Sequence, residues 1–307
     1  MAQTLETLNH RMSTLQSIRS IVRTMKTLSA VNAAPYDRAA ASIKAYHETV
    51  LQGLQVFAMS ARLPDISVDV DRHAPKIALV FGSDHGLCGG YNETVAAAAK
   101  AHVGANSWHI LAVGAQMEDA LCGLGLDVSN RFTPPASPDG IGRLAGEILV
   151  ALDEYRAQIQ MSEIALTLIY MQRSGHILQA PKAQELLPLS STFLTDLAKR
   201  PWESRSLPIL MMDDAAIFTA LIRNHLFASL FRAAAEAIAT ENAARLSLMQ
   251  QAERAIDDRH EEMLQAVRSA RQSEITNELL DVITGFEALK KKNSKDKDSG
   301  GKLPPFS

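Results

Sequence analysis

Apolar residues recur at steps of three and four from the first turns of the chain: Leu5, Leu8, Met12, Leu15, Ile18, Val22, Met25 and Leu28. That spacing places them on one stripe of an α-helix. The stripe resumes with Ile43, Tyr46, Val50, Leu51, Leu54 and Phe57, and no glycine precedes Gly53. One helix over residues 1–61 is predicted, with Pro35 expected to kink or interrupt it, because proline lacks an N–H and its ring meets the preceding turn. Residues 62–205 change period. Lys76–Phe81 is a short apolar run closed by Gly82, and Trp108–Val113 a second closed by Gly114. Both read as buried strands. Helices are predicted from about Asn92 to Ala101, then to Cys122, then from Ile141 to Gln158, the last preceded by a Pro-rich loop over Thr133–Pro138. Ile164–Met171 reads as a third strand, and Leu186–Leu189 as an edge strand, since Pro188 is tolerated there and not centrally. Strands alternating with helices imply a small, mainly parallel sheet with crossover helices.

From Asp213 to Leu289 there is no proline and a single glycine, Gly285. About 75 helical residues at 1.5 Å each would stretch over roughly 110 Å. A domain of this size cannot bury that length, so the helix must pair with a partner or lie inside a larger assembly. Met249, Ile256, Met263 and Ala270 repeat every seven residues on a patchy, Ala-rich seam, the pattern of an irregular coiled coil. Residues 290–307 are polar and rich in Lys, Gly and Ser, hence a predicted disordered basic tail. The expected fold is an α/β insert between two long terminal helices that pair antiparallel as a coiled coil. The expected domains are 1–61, 62–205 and 206–289, followed by the tail.

Composition narrows the class. In 307 residues, charged residues make up 21% and hydrophobic ones 47%, which excludes an intrinsically disordered chain. Lys plus Arg number 31 against 34 Asp plus Glu, which excludes a globally basic nucleic-acid coat. Cys88 and Cys122 are too few for a disulfide framework and suit a reducing compartment. No apolar run approaches the roughly 18 residues that span a bilayer. The start, Met1–Glu6, has neither the basic region nor the apolar core of a signal peptide. A soluble, intracellular protein is expected. Aromatic residues are only 5%, and aromatics dominate compact cores, so much of the packing should be helix on helix.

Ser83-Asp84-His85-Gly86-Leu87-Cys88-Gly89-Gly90 lies between a strand and a helix, where phosphate loops sit, yet it fits neither dinucleotide nor P-loop spacing. A strained turn using glycines at positive φ is the simplest reading, a protein-contact surface the next, nucleotide binding the last. Ser83, Asp84, His85 and Cys88 are too close in sequence for triad geometry, and no GxSxG elbow occurs. Neither the histidines nor the cysteines have metal-site spacing. No catalytic residue, metal or cofactor is therefore assigned. Arg19, Arg23 and Lys26 form a basic stripe that is either solvated or set against an acidic partner. Asp257, Asp258, Glu261 and Glu262 form an acidic patch. Arg271, Gln272 and Thr276 lie one turn apart on the long helix.

Blocks in three regions of the chain together resemble the gamma subunit of F-type ATP synthases. Arg23-Thr24-Met25-Lys26 is similar to that family's Met-Lys segment, and Ser83–Asn92 to its S-D-[RK]-G-L-C-G-G-x-N loop. Thr240-Glu241-Asn242-Ala243-Ala244-Arg245 and Ala270-Arg271-Gln272-Ser273-Glu274-Ile275-Thr276 resemble its two C-terminal blocks; Tyr170 and Leu186-Leu187-Pro188 also fit. The likeness runs in order along nearly the whole chain. It implies a non-catalytic central rotor shaft inside a hexamer of alternating alpha and beta subunits, with the α/β domain against the epsilon subunit and the membrane-embedded c-ring. It also implies a peripheral membrane protein on the cytoplasmic face of the bacterial plasma membrane, touching the membrane only through the c-ring and binding no nucleic acid. By the same resemblance Met25 and Lys26 lie near the beta-subunit lever, and Arg23 is a further partner-contact residue. Asp84, His85 and Cys88 face the beta C-terminal domain, and Arg271, Gln272 and Thr276 meet the beta catch region. The chain departs from the pattern at His85, where Arg or Lys is usual, and at Arg268, Thr240, Pro35 and the Lys-rich tail. Such divergence fits an alternate, Na⁺-linked F-type ATPase, although the coupling ion is chosen in the c-ring. The rival classes are a coiled-coil adaptor and a nucleotide-binding protein built on the α/β insert.

Overall fold

The first helix forms in one piece: α1 spans Leu5–Met59 with Pro35 inside it. The interruption expected there does not occur. Proline removes one backbone bond, leaving the carbonyl of Val31 without its usual donor, and Val31 is 64% exposed, so water can replace it. The next residue, Tyr36, is buried and donates its hydroxyl to the Pro135 carbonyl at 2.8 Å, which anchors the helix beside the proline. The computed structural model describes residues 5–59, 74–104, 107–161, 163–174, 178–202, 204–208, 211 and 213–299. They divide into two compact units, Met25–Met249 and the pair Met1–Thr24 with Gln250–Ser307. The unit boundaries fall inside the long helices, whereas the sequence zones follow changes of hydrophobic period.

In the unit Met25–Met249 the sheet order is β3-β2-β1-β4-β5. Strands β1 (Lys76–Phe81), β2 (His109–Val113), β3 (Val128–Phe132) and β4 (Ala165–Ser174) are parallel, and β5 (Leu178–Leu187) runs antiparallel to β4. Helices α2 (Tyr91–Val103), α3 (Ala115–Gly123) and α4 (Ile141–Ile159) make the connections. Period-two alternation sorts the strands' side chains onto two faces. Ile77, Leu79, Phe81, Leu166 and Leu168 face α4 and the long helix α6 (Asp214–Ser299). Ala78, Val80, Ile110, Ala112 and Ile169 face α2 and α3. Ala233, Ala234, Ala235, Ala237 and Ala239 bring α6 close against the first face. Both edge strands differ from expectation. β3 is polar and exposed at its centre, so its pattern is not that of a buried strand. β5 is ten residues long rather than four; it pairs with β4 alone, and its free edge tolerates Pro181. Pro188 lies just past its end.

Helix α1 meets α6 in the same unit. Leu51, Leu54 and Phe57 pack with Phe218 and with Leu197 of α5 (Ser191–Lys199). Gly53 lets the helices approach closely: a Cβ there would come within 2.7 Å of Leu221 Cδ2, and that side chain would have to shift. Tyr46 donates to Asn224 at 2.9 Å, and His47 and His225 share a hydrogen bond of 3.0 Å. Asp213 caps α6, its carboxylate accepting from the Ala216 N–H, as N-cap chemistry requires.

In the other unit the two helices pair antiparallel. Arg19 meets Asp257 at 2.5 Å and Arg23 meets Glu253 at 3.0 Å, so four residues forward on α1 match four back on α6. Leu8, Val22 and Ile256 are buried in the seam. The acidic partner of the basic stripe is thus α6 itself. Exposed pairs of this kind contribute about 0.2–1 kcal/mol each; they fix register more than stability. α6 continues to Ser299, past the expected end at Leu289, because nothing in residues 290–299 breaks a helix and Gly300 and Gly301 follow. Residues 300–307 of the predicted tail lie outside the described residues.

The histidine pair yields a pH prediction. One ring must offer a bare nitrogen to the other's N–H, so both cannot be cationic. Burial, with His47 as the smaller cause, pushes His225 down to about 4 from 6.5, and burial lowers His47 as well. The unfolded chain therefore binds more protons in that window, and stability is present above pH 6.5 and lost as pH falls toward 4. At 1.36 kcal/mol per unit the His225 contribution is about 3 kcal/mol. Urea midpoints from pH 7 to pH 4 are expected to fall less steeply in His225→Gln than in the parent chain.

Candidate partner-contact site

β1 ends at Phe81, and the chain must then turn sharply. Gly82 permits this, since a Cβ there would come within 2.4 Å of Met117. Asn92, at the start of α2, spans the turn with one amide: its Oδ1 accepts from the Ser83 N–H at 3.0 Å, and its Nδ2 donates to Ser83 Oγ at 2.7 Å and toward Cys88 Sγ at 3.7 Å. Asp84 accepts from the Ala115 N–H at 3.0 Å, a carboxylate at the N-terminus of α3, where the helix dipole favours it. The Ser83 carbonyl passes so close to Gly114 that a Cβ would come within 2.4 Å of it. These contacts fix the loop root, and Leu87 at its tip is exposed with φ 63°.

The second anchor comes from α6. Arg245 donates Nη2 to the His85 carbonyl at 2.9 Å, and both Nη2 and Nε to the Gly86 carbonyl at 3.3 Å. The same guanidinium pairs with Glu241 at 2.6 Å, one turn earlier, with side chains 9% and 10% exposed. Burial pushes the Glu241 carboxyl up, and the Arg245 charge opposes that. Beside them Tyr91 donates to the Ala237 carbonyl at 2.9 Å. Thr240 Oγ1 lies 3.2 Å from the Met171 carbonyl, and Gln179 donates to the Thr240 carbonyl at 3.1 Å. Helix α6 is thereby stitched across the carboxyl ends of β1 and β4.

That location decides between readings. Strand order reverses about β1, and doubly wound folds bind their ligands at such a switch point, outside the carboxyl ends of the strands. Here Ala237–Arg245 fill it. The loop also turns carbonyl oxygens toward α6, which suits a guanidinium and not a phosphate. The nucleotide-binding alternative has its crevice occupied by the chain's own helix.

Asp84, His85 and Cys88 come together on one loop. His85 is exposed and Asp84 half-buried. Cys88 is 5% exposed, its thiol pushed up by burial, so it braces the loop from inside. Met25 and Lys26 are half-buried on α1. Arg23, in the other unit, pairs with Glu253. Arg271, Gln272 and Thr276 are exposed on α6, Thr276 donating to the Gln272 carbonyl at 2.8 Å. Arg271 lies eighteen residues beyond Glu253, about 27 Å along the helix, so Arg23 and Arg271 are separate contact points. The register of the ion pairs sets Leu5 level with about Arg271. From there to Glu287 every residue of α6 is exposed, including Ile275, Leu279, Val282, Ile283 and Phe286, the last 73% exposed. Tyr91, Asn92, Glu241 and Arg245 are anchors that the sequence does not single out. The i, i+4 spacing of Glu241 and Arg245 signals an ion pair, but nothing local signals the loop it grips.

These features define a protein of two long helices with an α/β insert between them in sequence, the insert's switch point filled by the chain's own helix. Residues 4–289 match the family model described as ATP synthase, and the chain belongs to that family. It is similar to the ATP synthase gamma chain of Sinorhizobium fredii, 26% identical over 302 residues covering 93% of this chain and 99% of the relative. It is likewise similar to the ATP synthase gamma chain of Brucella anthropi, 25% identical over 296 residues with the same coverage. Its fold is similar to a chain of the Euglena gracilis mitochondrial ATP synthase rotor, with TM-score 0.63 at 15% identity, covering 88% of this chain and 98% of that one. A chain of the Tetrahymena thermophila mitochondrial ATP synthase central stalk and c-ring gives TM-score 0.54 at 17% identity, covering 76% and 99%.

Arg245→Ala would leave Glu241 buried without its cation and two loop carbonyls without donors. A loss of about 3–5 kcal/mol is expected in urea unfolding, as for other broken buried pairs. Replacing both partners, Glu241→Gln with Arg245→Met, should cost less. A loss below 1 kcal/mol for Arg245→Ala would mean that the pair does not hold the loop.

Proposed function

We propose that this chain is the central rotor shaft of an F-type ATP synthase, coupling ion flow through a membrane ring to the conformational cycling of catalytic alpha and beta subunits. The observation that carries the reading is the unpartnered apolar row from Ile275 to Phe286 on α6. A soluble chain rarely leaves so many large apolar side chains in water unless another protein covers them, and a collar of alternating alpha and beta subunits would do so. The α/β body would meet the epsilon subunit and the c-ring, placing the chain at the cytoplasmic face of the membrane without entering it. No helix among the described residues is long and apolar enough to cross a membrane.

The shaft itself performs no bond chemistry; the catalytic subunits do. Each rotor angle presents a different face to each equivalent neighbour, favouring one conformation there, so turnover is gated by population shift. The surface must also avoid deep angular wells: an extra trap of about 4 kcal/mol slows escape roughly a thousandfold. A tip of Ile, Leu, Val and Phe has few directional grips and suits a bearing. Arg271, Gln272 and Thr276 would then act as a modest, angle-dependent catch at the start of that tip. Met25 and Lys26 would lie beside the beta-subunit lever, with Arg23 a further partner contact, and the loop Asp84–Leu87, braced by Cys88, would face the beta C-terminal domain.

Arg271→Ala combined with Gln272→Ala is expected to impair coupled ATP turnover while the complex still assembles. Both side chains are exposed and fill no core. Unchanged coupled turnover in the purified complex would remove the catch, and failure of this chain to co-purify with a large ATPase would remove the shaft reading itself.

A further inference from the structure

In the unit Met25–Met249 a polar cleft of about 490 Å³ opens between α1, α6 and the end of β4. Small residues make room for it, Ala40 and Ala41 on α1 and Ala239 on α6. Ligand pockets begin at about 300 Å³, and the walls of this one are charged. Lys44, Arg173 and Arg232 stand against Asp37 and Glu236, three cations to two carboxylates.

The pairing inside the cleft is incomplete. Arg173 Nη1 lies 3.4 Å from Asp37 Oδ2, both side chains close to half exposed. Arg232 donates Nε to Glu236 Oε1 at 2.8 Å, and its two terminal nitrogens make no hydrogen bond among the described residues. Lys44 is exposed, with no ion pair or hydrogen bond among the described residues. Glu236 Oε2, in contrast, is buried and has no donor. Leaving a buried acceptor unpaired is costly. The cleft therefore calls for two things at once: an anion for the uncommitted guanidinium and ammonium donors, and a hydrogen-bond donor for Glu236.

We propose that this cleft binds a hydrogen phosphate group, an oxyanion that keeps a proton. Its oxygens accept from Arg232 and Lys44, a planar fork and a point charge that both suit phosphate. Its hydroxyl donates to Glu236 Oε2. Sulfate has the same tetrahedral shape but no proton to give near neutral pH, so it would set a bare oxygen against the buried carboxylate. Sites built around a ligand hydroxyl reject the analogue that lacks it for this reason. Asp37 adds a second carboxylate that disfavours a fully ionised anion. This site goes beyond the shaft role and does not depend on it.

Calorimetry of the full chain with inorganic phosphate, sulfate and glycerol 3-phosphate tests this. At about pH 6.5 a phosphate monoester, with its second pKa at about 6, also carries a proton part of the time. Saturable one-site uptake of phosphate is expected, with sulfate about tenfold weaker or worse. Lys44→Gln, a surface change, should weaken phosphate about fivefold and keep its lead over sulfate. Glu236→Gln, which can offer an amide donor in place of the carboxylate oxygen, should abolish that lead. Tighter uptake of glycerol 3-phosphate than of inorganic phosphate would mark an esterified phosphate as the source, and weaker uptake free phosphate. Four results would each overturn the proposal. They are no saturable phosphate uptake; sulfate bound as tightly as phosphate by the parent chain; uptake unchanged in Lys44→Gln; or a lead over sulfate that survives Glu236→Gln.

Discussion

A guanidinium placed where a ligand would otherwise sit is the constraint on which the rest of the α/β body depends. Arg245 bridges Glu241 and the His85 and Gly86 carbonyls, closing the switch point of the sheet with the chain's own helix. Buried ion pairs add little net stability compared with apolar packing. Their effect is directional, and here the direction fixes which way the loop Ser83–Gly90 faces. The alanine run Ala233–Ala239 lets α6 approach closely enough for that reach. Tyr91 adds a side-chain donor to the Ala237 carbonyl, and Thr240 Oγ1 lies against the Met171 carbonyl of β4.

Helix α6 passes through three environments in turn, which explains why no single repeat describes it. From Phe218 to Ala239 it is a core helix. Around Met249 and Ile256 it presents buried seam residues, and from Arg271 to Glu287 it is exposed on all sides. Only the middle stretch resembles a coiled coil. The last carries Ile275, Leu279, Val282, Ile283 and Phe286 exposed among polar residues.

Much of this was legible from period alone. Both long helices, the strands Lys76–Phe81 and His109–Val113, and the parallel sheet follow from alternation and spacing. What escaped has physical causes. β3 and β5 are edge strands, so half of their surface faces water and their apolar pattern is diluted. Pro35 signals a break, yet its freed carbonyl sits at Val31, where solvent satisfies it. Residues 290–299 look like tail because they are polar, but polarity does not stop a helix and glycine does. The loop residues Asp84, His85 and Cys88 were visible as a motif, whereas their anchor lies some 160 residues away on α6, beyond any local rule.

As the proposed shaft, this chain turns as a body against the catalytic ring. Cys122 is exposed on α3 while Cys88 is buried, so a thiol-reactive probe can be placed at Cys122 of the assembled complex with the ring held on a surface. Stepwise rotation of the probe in one direction is expected during ATP hydrolysis, halting when ATP is withdrawn. A probe that stays fixed relative to the ring while ATP is hydrolysed at its normal rate would contradict it.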